Sequence, residues 1–416
     1  MSRSVLRRAI IAVAALAFVP RLGPAQGTAP RPAAEREPHS LDLAIHHVGI
    51  SIGNSRELTG IRLNWRDEGV LRVDGINVTL WSPGSNPRAR ISGLAVGVVA
   101  PGAARLGGLV LGAGGISAGE RLTGIGVGGF AIVSHGDIGG LAATGLAVVA
   151  DSSITGLAGA GLAVMSRDAI DGVAIAGASV LAAGGLRGIA VGGLASVIQR
   201  RMSGVALGGL AVVTEGPAAG VLMSGLGVAA RGDLSGVGVA GLVTFASGRL
   251  RGVNLGGLAV VGDGGVGGIT AGGVAVVSSG GIRGVTLTGG AVIAGDEIRG
   301  ITVGGLGVVA EGGARWVTLS GGTLIARDDA AGLLVGLYRV RAPSIAGIAV
   351  SAVQMRAIAL RGASVAGYNY VARQRGLTIG LYNDARELHG VQLGLINRAR
   401  NNGTGARWLP IINAHF

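Results

Sequence analysis

Apolar and polar positions recur along this chain in a 16-residue repeat. A composite unit reads L-R-G-I-A-V-G-G-L-A-V-V-A-E-G-D, and we number its positions from the first letter to the last. Positions 4 and 6 are apolar, as are positions 9 and 11, whereas positions 14 to 16 are mostly glycine or polar residues. Short apolar runs around a Gly-Gly step predict two short β-strands joined by a tight corner, with a polar turn after the second strand.

A glycine at position 3 marks each unit. It recurs once in every unit from Gly124 to Gly300, is replaced by Trp316, and returns in phase at Gly332. Outside this regular stretch the column continues at Gly60, Gly75, Gly93, Gly108, Gly347, Gly362, Gly376 and Gly390. The array therefore has about 22 units and covers most of the chain, which is typical of a repeat architecture.

The constant step favours a parallel β-solenoid. Each unit then becomes one coil, and equivalent residues stack about 4.8 Å apart in columns. In residues 186–217 we expect Ile189 to stack on Val205 and Val191 on Leu207, with the glycines of positions 3 and 8 forming two corner columns. Four or five apolar side chains per coil should be buried. We therefore predict an all-β fold, a parallel β-solenoid of about 22 coils with a dominant 16-residue repeat.

Two other architectures compete with this prediction. Transmembrane helices are excluded because a charge interrupts the array about once per unit and glycine opposes helix formation. An outer-membrane β-barrel is the alternative, favoured by an exported chain that ends on Phe416. Scarce aromatic residues, Pro410 in the would-be closing strand and the invariant step between units argue against it.

The amino terminus predicts export. Arg7 and Arg8 precede the apolar run Ala9–Val19, followed by Pro20 and small residues up to Ala25. This order is typical of a secretory signal peptide. The predicted organisation is a signal peptide (1–25), a Pro/Ala-rich linker (26–40), an N-terminal capping region with irregular first coils (41–90), the glycine-rich repeat array (91–398) and a C-terminal cap (399–416).

Composition narrows the function classes. The 416 residues include 82 glycines and no cysteine, so disulfides are absent. The formal net charge is +13, and all 35 basic residues are arginines. Neither a basic helix nor an aromatic RNA-binding stretch is present, so nucleic acid is not a predicted partner.

The sequence offers no catalytic, cofactor-binding or metal-ligating constellation. The acidic residues fall chiefly in the polar turns, and no cluster of paired carboxylates recurs. We therefore predict no enzyme activity and no cofactor, with a carbohydrate-active β-solenoid enzyme as a distant alternative. Such an enzyme requires convergent acidic residues in a cleft.

One column of charges suggests an anion contact. Arg283, Arg299 and Arg315 occupy the same position in three successive units. Stacked like charges repel unless acidic groups or a bound anion intervene, and Asp296 and Glu297 lie in the adjoining turn. We predict a contact with an anionic polysaccharide or lipopolysaccharide, lost when these arginines become glutamine.

A threonine column lies nearby. Thr270, Thr286, Thr302 and Thr318 align in four successive units. Exposed threonine columns can order water on a solenoid surface. The irregular companion column two residues along favours a simple β-branched ladder instead.

The last units, GLTIGLYNDARELHGVQLGLINRARNN at 376–402, carry a sharper motif. They resemble bacterial surface-repeat proteins typified by a leptospiral family, whose units have the form G-x-Q-[IL]-G-L-x-N. The matching residues are Gly376, Gly380, Leu381 and Asn383, then Gly390, Gln392, Gly394, Leu395 and Asn397, with Tyr368 and Asn369 as a weaker echo. The close match covers about 360–416, and the resemblance implies export and a surface location.

These observations together predict an exported, non-enzymatic surface repeat protein with a structural, adhesive or interaction role. The expected location is the cell surface, the outer membrane or the extracellular space. Cell-envelope components are the expected partners. An integral outer-membrane β-barrel is the alternative.

Overall fold

The computed structural model describes residues 39–84 and 86–416. The predicted signal peptide and the linker up to residue 38 lie outside the described residues. The described part contains 37 β-strands and a 3₁₀-helix at Thr404–Ala406. None of its helices has the length and apolar character needed to cross a bilayer.

The strands fall into three groups along the chain. Seven strands come first: β1 (Ser40–Ile45), β2 (Val48–Gly53), β3 (Glu57–Asn64), β4 (Arg72–Thr79), β5 (Arg90–Gly97), β6 (Gly102–Gly112) and β7 (Gly115–Gly128). Short and long strands then alternate: β8 (Ala131–Ser134), β9 (Asp137–Thr144), β10 (Ala147–Ala150), β11 (Ile154–Ala160), β12 (Ala163–Ser166), β13 (Ala169–Ala176), β14 (Ser179–Ala182), β15 (Gly185–Gly192), β16 (Ala195–Ile198), β17 (Met202–Gly208), β18 (Ala211–Thr214), β19 (Ala218–Ser224), β20 (Gly227–Ala230), β21 (Leu234–Ala240), β22 (Val243–Ala246), β23 (Leu250–Gly256), β24 (Ala259–Gly262), β25 (Val266–Gly272), β26 (Ala275–Ser278), β27 (Ile282–Thr288), β28 (Ala291–Ala294), β29 (Ile298–Gly304), β30 (Gly307–Ala310), β31 (Ala314–Ser320), β32 (Thr323–Ala326) and β33 (Ala330–Gly336). Longer strands form the end: β34 (Arg339–Val350), β35 (Gln354–Val365), β36 (Tyr368–Ala399) and β37 (Trp408–His415).

Consecutive units of the array pair in parallel, and the predicted fold is confirmed. Ile189 pairs with Val205 and Val191 with Leu207, so equivalent residues of successive units lie one coil apart. The result is a β-solenoid of about 20 parallel coils with a 16-residue spacing. Antiparallel neighbours, which the alternative architecture required, occur among the described residues only where β1 pairs with β2 and β36 with β37.

Fewer of the apolar positions in each unit are buried than the sequence pattern suggests. In the unit 186–201 Leu186, Ala190 and Ile198 are buried, whereas Ile189 is 39 % exposed and Leu194 is 53 % exposed. Positions 1, 5, 11 and 13 therefore face inward, and positions 4 and 6 face outward. Positions 9 and 11 are both apolar but do not share a face, because position 9 lies at the Gly-Gly corner and projects away from the core. Several of the largest apolar side chains consequently remain on the outside.

The two glycine columns have different roles. The position-8 glycines lie at the corner between the long and the short strand, as predicted. The corner predicted for the position-3 glycines is wrong, because these residues lie inside the long strand. Gly204 has a φ of 127°, and a Cβ at this residue would lie 2.0 Å from the carbonyl oxygen of Gly188 in the preceding coil. Glycine alone tolerates both constraints without strain. Trp316 is the exception in this column, with a φ of 87°.

The threonine column lies inside the solenoid. Thr270, Thr286, Thr302 and Thr318 pair in register and are each at most 1 % exposed. An ordered-water surface is therefore excluded for these side chains, in agreement with the β-branched ladder. Asn254 pairs with Thr270 in the same inward column, and neither amide atom of its side chain has a hydrogen-bond partner.

The last coils have a polar interior instead. Asn369 Nδ2 donates to Asn383 Oδ1 at 2.8 Å, and Asn383 Nδ2 donates to Asn397 Oδ1 at 2.7 Å. Gln392 Nε2 donates to Gln374 Oε1 at 3.1 Å. All five side chains are buried. The asparagines of the surface-repeat motif thus form a hydrogen-bonded ladder inside the final coils.

The first coils also enclose polar groups. Arg62 and Asp67 are fully buried and form an ion pair of 2.7 Å, and Asn77 accepts a hydrogen bond from Arg62 Nη1 at 2.8 Å. Burial lowers the pKa of the Arg62 guanidinium, and the neighbouring Asp67 carboxylate opposes that shift. Polar networks therefore occupy the interior at both ends, while the middle of the solenoid is filled mainly by apolar side chains.

Candidate interaction surfaces

Charge is confined to one side of the central coils. Every Arg, Asp and Glu between residues 100 and 338 falls at position 14, 15, 16 or 2 of its unit. We call this side the charged edge. It carries 13 arginines and 13 acidic residues, so its formal net charge is zero. Because its charges cancel, the charged edge as a whole has no net attraction for anions.

Opposite charges on the charged edge pair between neighbouring coils. Arg187 Nη2 lies 2.6 Å from Asp171 Oδ2, and Arg121 Nη2 lies 2.8 Å from Asp137 Oδ2. The hydrogen bond from Arg187 lowers the pKa of Asp171. Hydrogen bonds from Ser152 and then Arg121 hold the pKa of Asp137 well below its usual range. The ionised forms of these two carboxylates are thus stabilised by their hydrogen-bond partners.

The predicted anion contact lies on the same edge. Arg283, Arg299 and Arg315 occupy adjacent coils in register. Glu297 reaches two of them, with its Oε2 3.0 Å from Arg299 Nη2 and its Oε1 2.6 Å from Arg315 Nε. One carboxylate therefore partly neutralises two of the three arginines, which leaves Arg283 as the member without an ion pair to a described residue.

The remaining sides of the central coils are apolar. Position 9 forms a column at the Gly-Gly corner, which we call the leucine corner. Its large members are between 41 % and 73 % exposed: Phe130, Leu146, Leu162, Leu194, Leu210, Leu226, Leu242, Leu258, Val274 and Leu306. Outward side chains at positions 4 and 6 add a second apolar strip, including Ile125, Ile175, Ile269, Leu287 and Ile301.

The backbone of the leucine corner is hydrogen-bonded along the array. The Leu210 N–H donates to the carbonyl of Leu194 at 2.8 Å, and the Leu226 N–H donates to the carbonyl of Leu210 at 3.0 Å. The same bond joins Leu258 to Leu242 at 2.8 Å. These turn amides therefore need no water to satisfy them.

Shallow apolar grooves run beside this corner, at the small residues of positions 7 and 8. One groove of about 450 Å³ is lined by residues that include Leu255, Gly257, Leu287 and Val303. A second, of about 630 Å³, lies in the last coils. Its lining residues include Val365, Ile379, Leu381, Leu393 and Leu395.

The last coils present a different outer surface. Residues 339–416 contain ten arginines and two acidic residues, a net charge of +8, and Tyr338 immediately before them completes a region that holds all four tyrosines of the chain. Two outward columns stand side by side on one face. One column runs Arg339, Gln354, Tyr368, and the other runs Arg341, Arg356, Tyr370.

Aromatic rings and arginines meet on this face. The ring centroids of Tyr370 and Tyr382 are 5.8 Å apart, and those of Tyr382 and Trp408 are 6.3 Å apart. The Arg398 guanidinium lies 4.6 Å from the Trp408 ring centroid. We call this surface the aromatic–arginine patch, which comprises Arg339, Arg341, Gln354, Arg356, Tyr368, Tyr370, Tyr382, Arg398 and Trp408.

Sequence reasoning missed this patch. Its columns cross coils that are shorter than those of the central array, so a search at constant period does not align Arg341, Arg356 and Tyr370. The available signal was the confinement of the tyrosines to residues 338–382. Within the described residues, no group of three or more His, Cys, Asp or Glu side chains has a geometry that could hold a metal ion.

Comparisons with models of protein families, with curated proteins and with solved structures found no significant match to this chain. The resemblance of residues 360–416 to leptospiral-type surface repeats therefore stays a prediction. Functional inference rests on the surfaces described above.

Proposed function

We propose that this chain is an exported, non-enzymatic surface repeat protein of the cell envelope that adheres to a lipid layer through its leucine corner. The observation that carries the proposal is the separation of charge from apolar surface in the coils between residues 100 and 338. Export is supported by the signal-peptide pattern of residues 1–25. An adhesive role is the form of interaction that an amphipathic array supports best.

The leucine corner is too long to be an ordinary exposed patch. From Phe130 to Leu306 it spans 12 coils, which corresponds to about 50 Å at the strand spacing. Monomeric soluble proteins rarely expose contiguous apolar patches above a few hundred Å². Contact with apolar material would remove the free-energy cost of exposing this column of apolar side chains to water.

Lipid suits the corner because its backbone is already satisfied. A hydrocarbon environment requires each backbone polar group to have an internal partner. The Leu210 and Leu226 amides donate to the preceding coil, so the corner meets this requirement without water. The leucine side chains project from a convex turn, a shape that suits insertion between acyl chains.

The dimensions of a coil fit one leaflet. From position 4 to the end of the long strand at position 7 the backbone covers about 10 Å, less than half of the ~30 Å hydrocarbon core of a bilayer. Insertion to this depth leaves the charged edge in the headgroup region. Trp316, 66 % exposed, lies at position 3 on the boundary between the charged edge and the apolar strip. Tryptophan is enriched at membrane–water interfaces.

Flotation of the full chain with phospholipid vesicles tests the proposal. The chain should float with vesicles, and the triple variant Leu194→Asn, Leu210→Asn, Leu226→Asn should lose most of that flotation. Because these side chains are exposed, its circular dichroism should stay unchanged. Quenching of Trp316 fluorescence by lipids brominated near the headgroup should accompany binding, with Trp316→Phe identifying the signal among the four tryptophans.

The matched control changes the charged edge in the same coils. Gln199→Asn, Glu215→Gln and Arg231→Gln occupy position 14 of those units and should float like the unaltered chain. Equal flotation of the leucine variant would refute the proposal. So would a chain that ignores vesicles and self-associates through the leucine corner, since the apolar sides would then be an interface between copies.

A further inference from the structure

We propose that the aromatic–arginine patch is a binding site for a linear anionic polysaccharide. The site is distinct from the leucine corner and from the predicted contact at Arg283, Arg299 and Arg315. It lies on the outward face of the second strand segment in the last coils, where the central array presents mainly apolar residues.

Uncompensated charge is the first argument. Arg341 and Arg356 are exposed and pair in register in adjacent coils, so two like charges stack at the spacing of neighbouring strands. Neither forms an ion pair with a described residue. Asp384, in a later coil, is already engaged, with its Oδ2 2.8 Å from Arg400 Nη2 and 3.8 Å from Arg398 Nη1. A bound anion would relieve the repulsion between Arg341 and Arg356.

The contrast with the charged edge strengthens this argument. There, Glu297 lies within ion-pair distance of both Arg299 and Arg315. Two of the three stacked arginines in the central coils thus share an internal carboxylate, whereas neither Arg341 nor Arg356 has one. Arginine binds carboxylate and phosphate groups through two parallel hydrogen bonds, so the missing partner is of that chemistry.

Aromatic rings supply the second argument. Tyr368, Tyr370, Tyr382 and Trp408 line the same face over successive coils. Such rings pack their apolar faces against the C–H faces of sugars while their polar atoms contact hydroxyl groups. A depression of about 210 Å³ lies at the start of the patch, lined by Tyr338, Arg339, Val353, Gln354, Tyr368 and Tyr370.

The side chains that line the depression can form hydrogen bonds with a polar ligand. The Arg339 guanidinium lies 5.6 Å from the Tyr338 ring centroid, and its Nε is buried without a hydrogen-bond partner. Gln354 adds an amide donor and acceptor in the same column. A saccharide hydroxyl or carboxylate entering the depression would find both charged and neutral hydrogen-bonding groups.

The arrangement favours a linear glycan over a single-stranded nucleic acid. Tyr370 and Tyr382 are inclined by 57°, and Tyr382 and Trp408 by 42°. Stacked bases require ring faces that bases can cover in parallel. Tilted rings that follow the stacked arginines along the same face instead suit successive sugar units, and five coils at the strand spacing give a track of about 20 Å.

Binding of alginate, a linear polyuronate, to the full chain tests the proposal by titration calorimetry. Alginate should bind and uncharged dextran should not. The variant Arg341→Gln with Arg356→Gln should weaken alginate binding about tenfold and reduce its salt dependence. Tyr370→Ala with Tyr382→Ala should weaken it at unchanged salt dependence. Unaltered circular dichroism would show that the fold is preserved in both variants, at the exposed Arg341 and Arg356 and at the half-buried Tyr370 and Tyr382.

Arg200→Gln with Arg201→Gln is the matched control, because it removes two exposed arginines from the charged edge. It should change alginate affinity less than twofold. Equal weakening by the control would overturn the site, as would an absence of alginate binding. Tighter binding of an oligothymidylate that also depends on Tyr370 and Tyr382 would assign the patch to nucleic acid, and binding only to phosphatidylglycerol vesicles would assign it to lipid headgroups.

Discussion

The central coils and the last coils of this solenoid share one backbone arrangement but differ in the polarity of their interior and in the charge of their outer surface. Between residues 100 and 338 the interior is largely apolar and the charged edge is neutral overall. From residue 339 onward the outer surface is basic and aromatic, and from Asn369 an asparagine ladder runs through the interior. Both regions keep the position-3 glycine column and parallel register.

This comparison separates what the fold demands from what each region adds. Backbone register and the close approach at the glycine column are common to both regions, so they are requirements of the coil. The identity of inward residues varies between valine, threonine and asparagine, so it is set regionally. Outward residues vary most, and we assign the two proposed functions to them.

The largest effect should come from the feature that both regions share. Gly204→Ala places a methyl group 2.0 Å from the Gly188 carbonyl oxygen at a φ of 127°, so the free energy of unfolding should fall by about 3 kcal/mol or more. Urea denaturation followed by circular dichroism measures it. Gly159→Ala is the control, because a Cβ there meets no atom within 4 Å, and it should be tolerated. Equal losses in the two variants would contradict a special role for position 3.

Sequence periodicity was sufficient to predict the register but not which side chains face inward. The constant step between units fixes that Ile189 pairs with Val205, because parallel strands align equivalent residues. It does not distinguish Ile189 from Ala190, since both are apolar and adjacent on the strand. The larger residue lies outside here and the smaller one inside. Position 5 accepts side chains from Ala190 to the fully buried Leu222, so side-chain size does not tell which of two adjacent apolar residues faces inward.

The candidate surfaces were predictable to different degrees for a similar reason. Arg283, Arg299 and Arg315 align at a constant offset and were found from the sequence. Arg341, Arg356 and Tyr370 do not align at a constant offset, and they come into one column only when each is counted from its own marker glycine in the shorter final coils. The leucine corner was visible as a column, but its exposure depends on the turn at the Gly-Gly step.

The two interiors should respond oppositely to the same substitution. Asn383→Leu removes the partner of the Asn369 amide and the donor to Asn397, so it should cost about 2–4 kcal/mol. Asn254→Leu removes a buried amide with no partner and should stabilise the chain by about 1–2 kcal/mol. Leu222 already occupies that inward position two coils earlier, fully buried. Thermal and urea denaturation measure the stability of both variants. A change of the same sign in the two variants would contradict the difference between the two interiors.

Acid should destabilise the central coils through the charged edge. The lowered pKa values of Asp137 and Asp171 mean that the folded state favours their ionised forms. Their contribution is therefore fully present above the ordinary aspartate pKa of about 4 and is lost as the pH falls toward the folded-state values. Urea midpoints should fall between pH 5 and pH 2, less steeply in a variant with Asp137→Asn and Asp171→Asn. An unchanged pH profile in that variant would exclude these two carboxylates as the cause.

The smallest effect should come from the predicted anion contact on the charged edge. The triple variant Arg283→Gln, Arg299→Gln, Arg315→Gln removes three charges, but Glu297 already engages Arg299 and Arg315 at 3.0 and 2.6 Å. Only Arg283 is then open to an external anion, and a single exposed charge contributes little at physiological salt. We expect alginate affinity to fall less than threefold, against about tenfold for Arg341→Gln with Arg356→Gln. A larger loss in the triple variant would place the main anion contact on the central coils and reverse the comparison between the two regions.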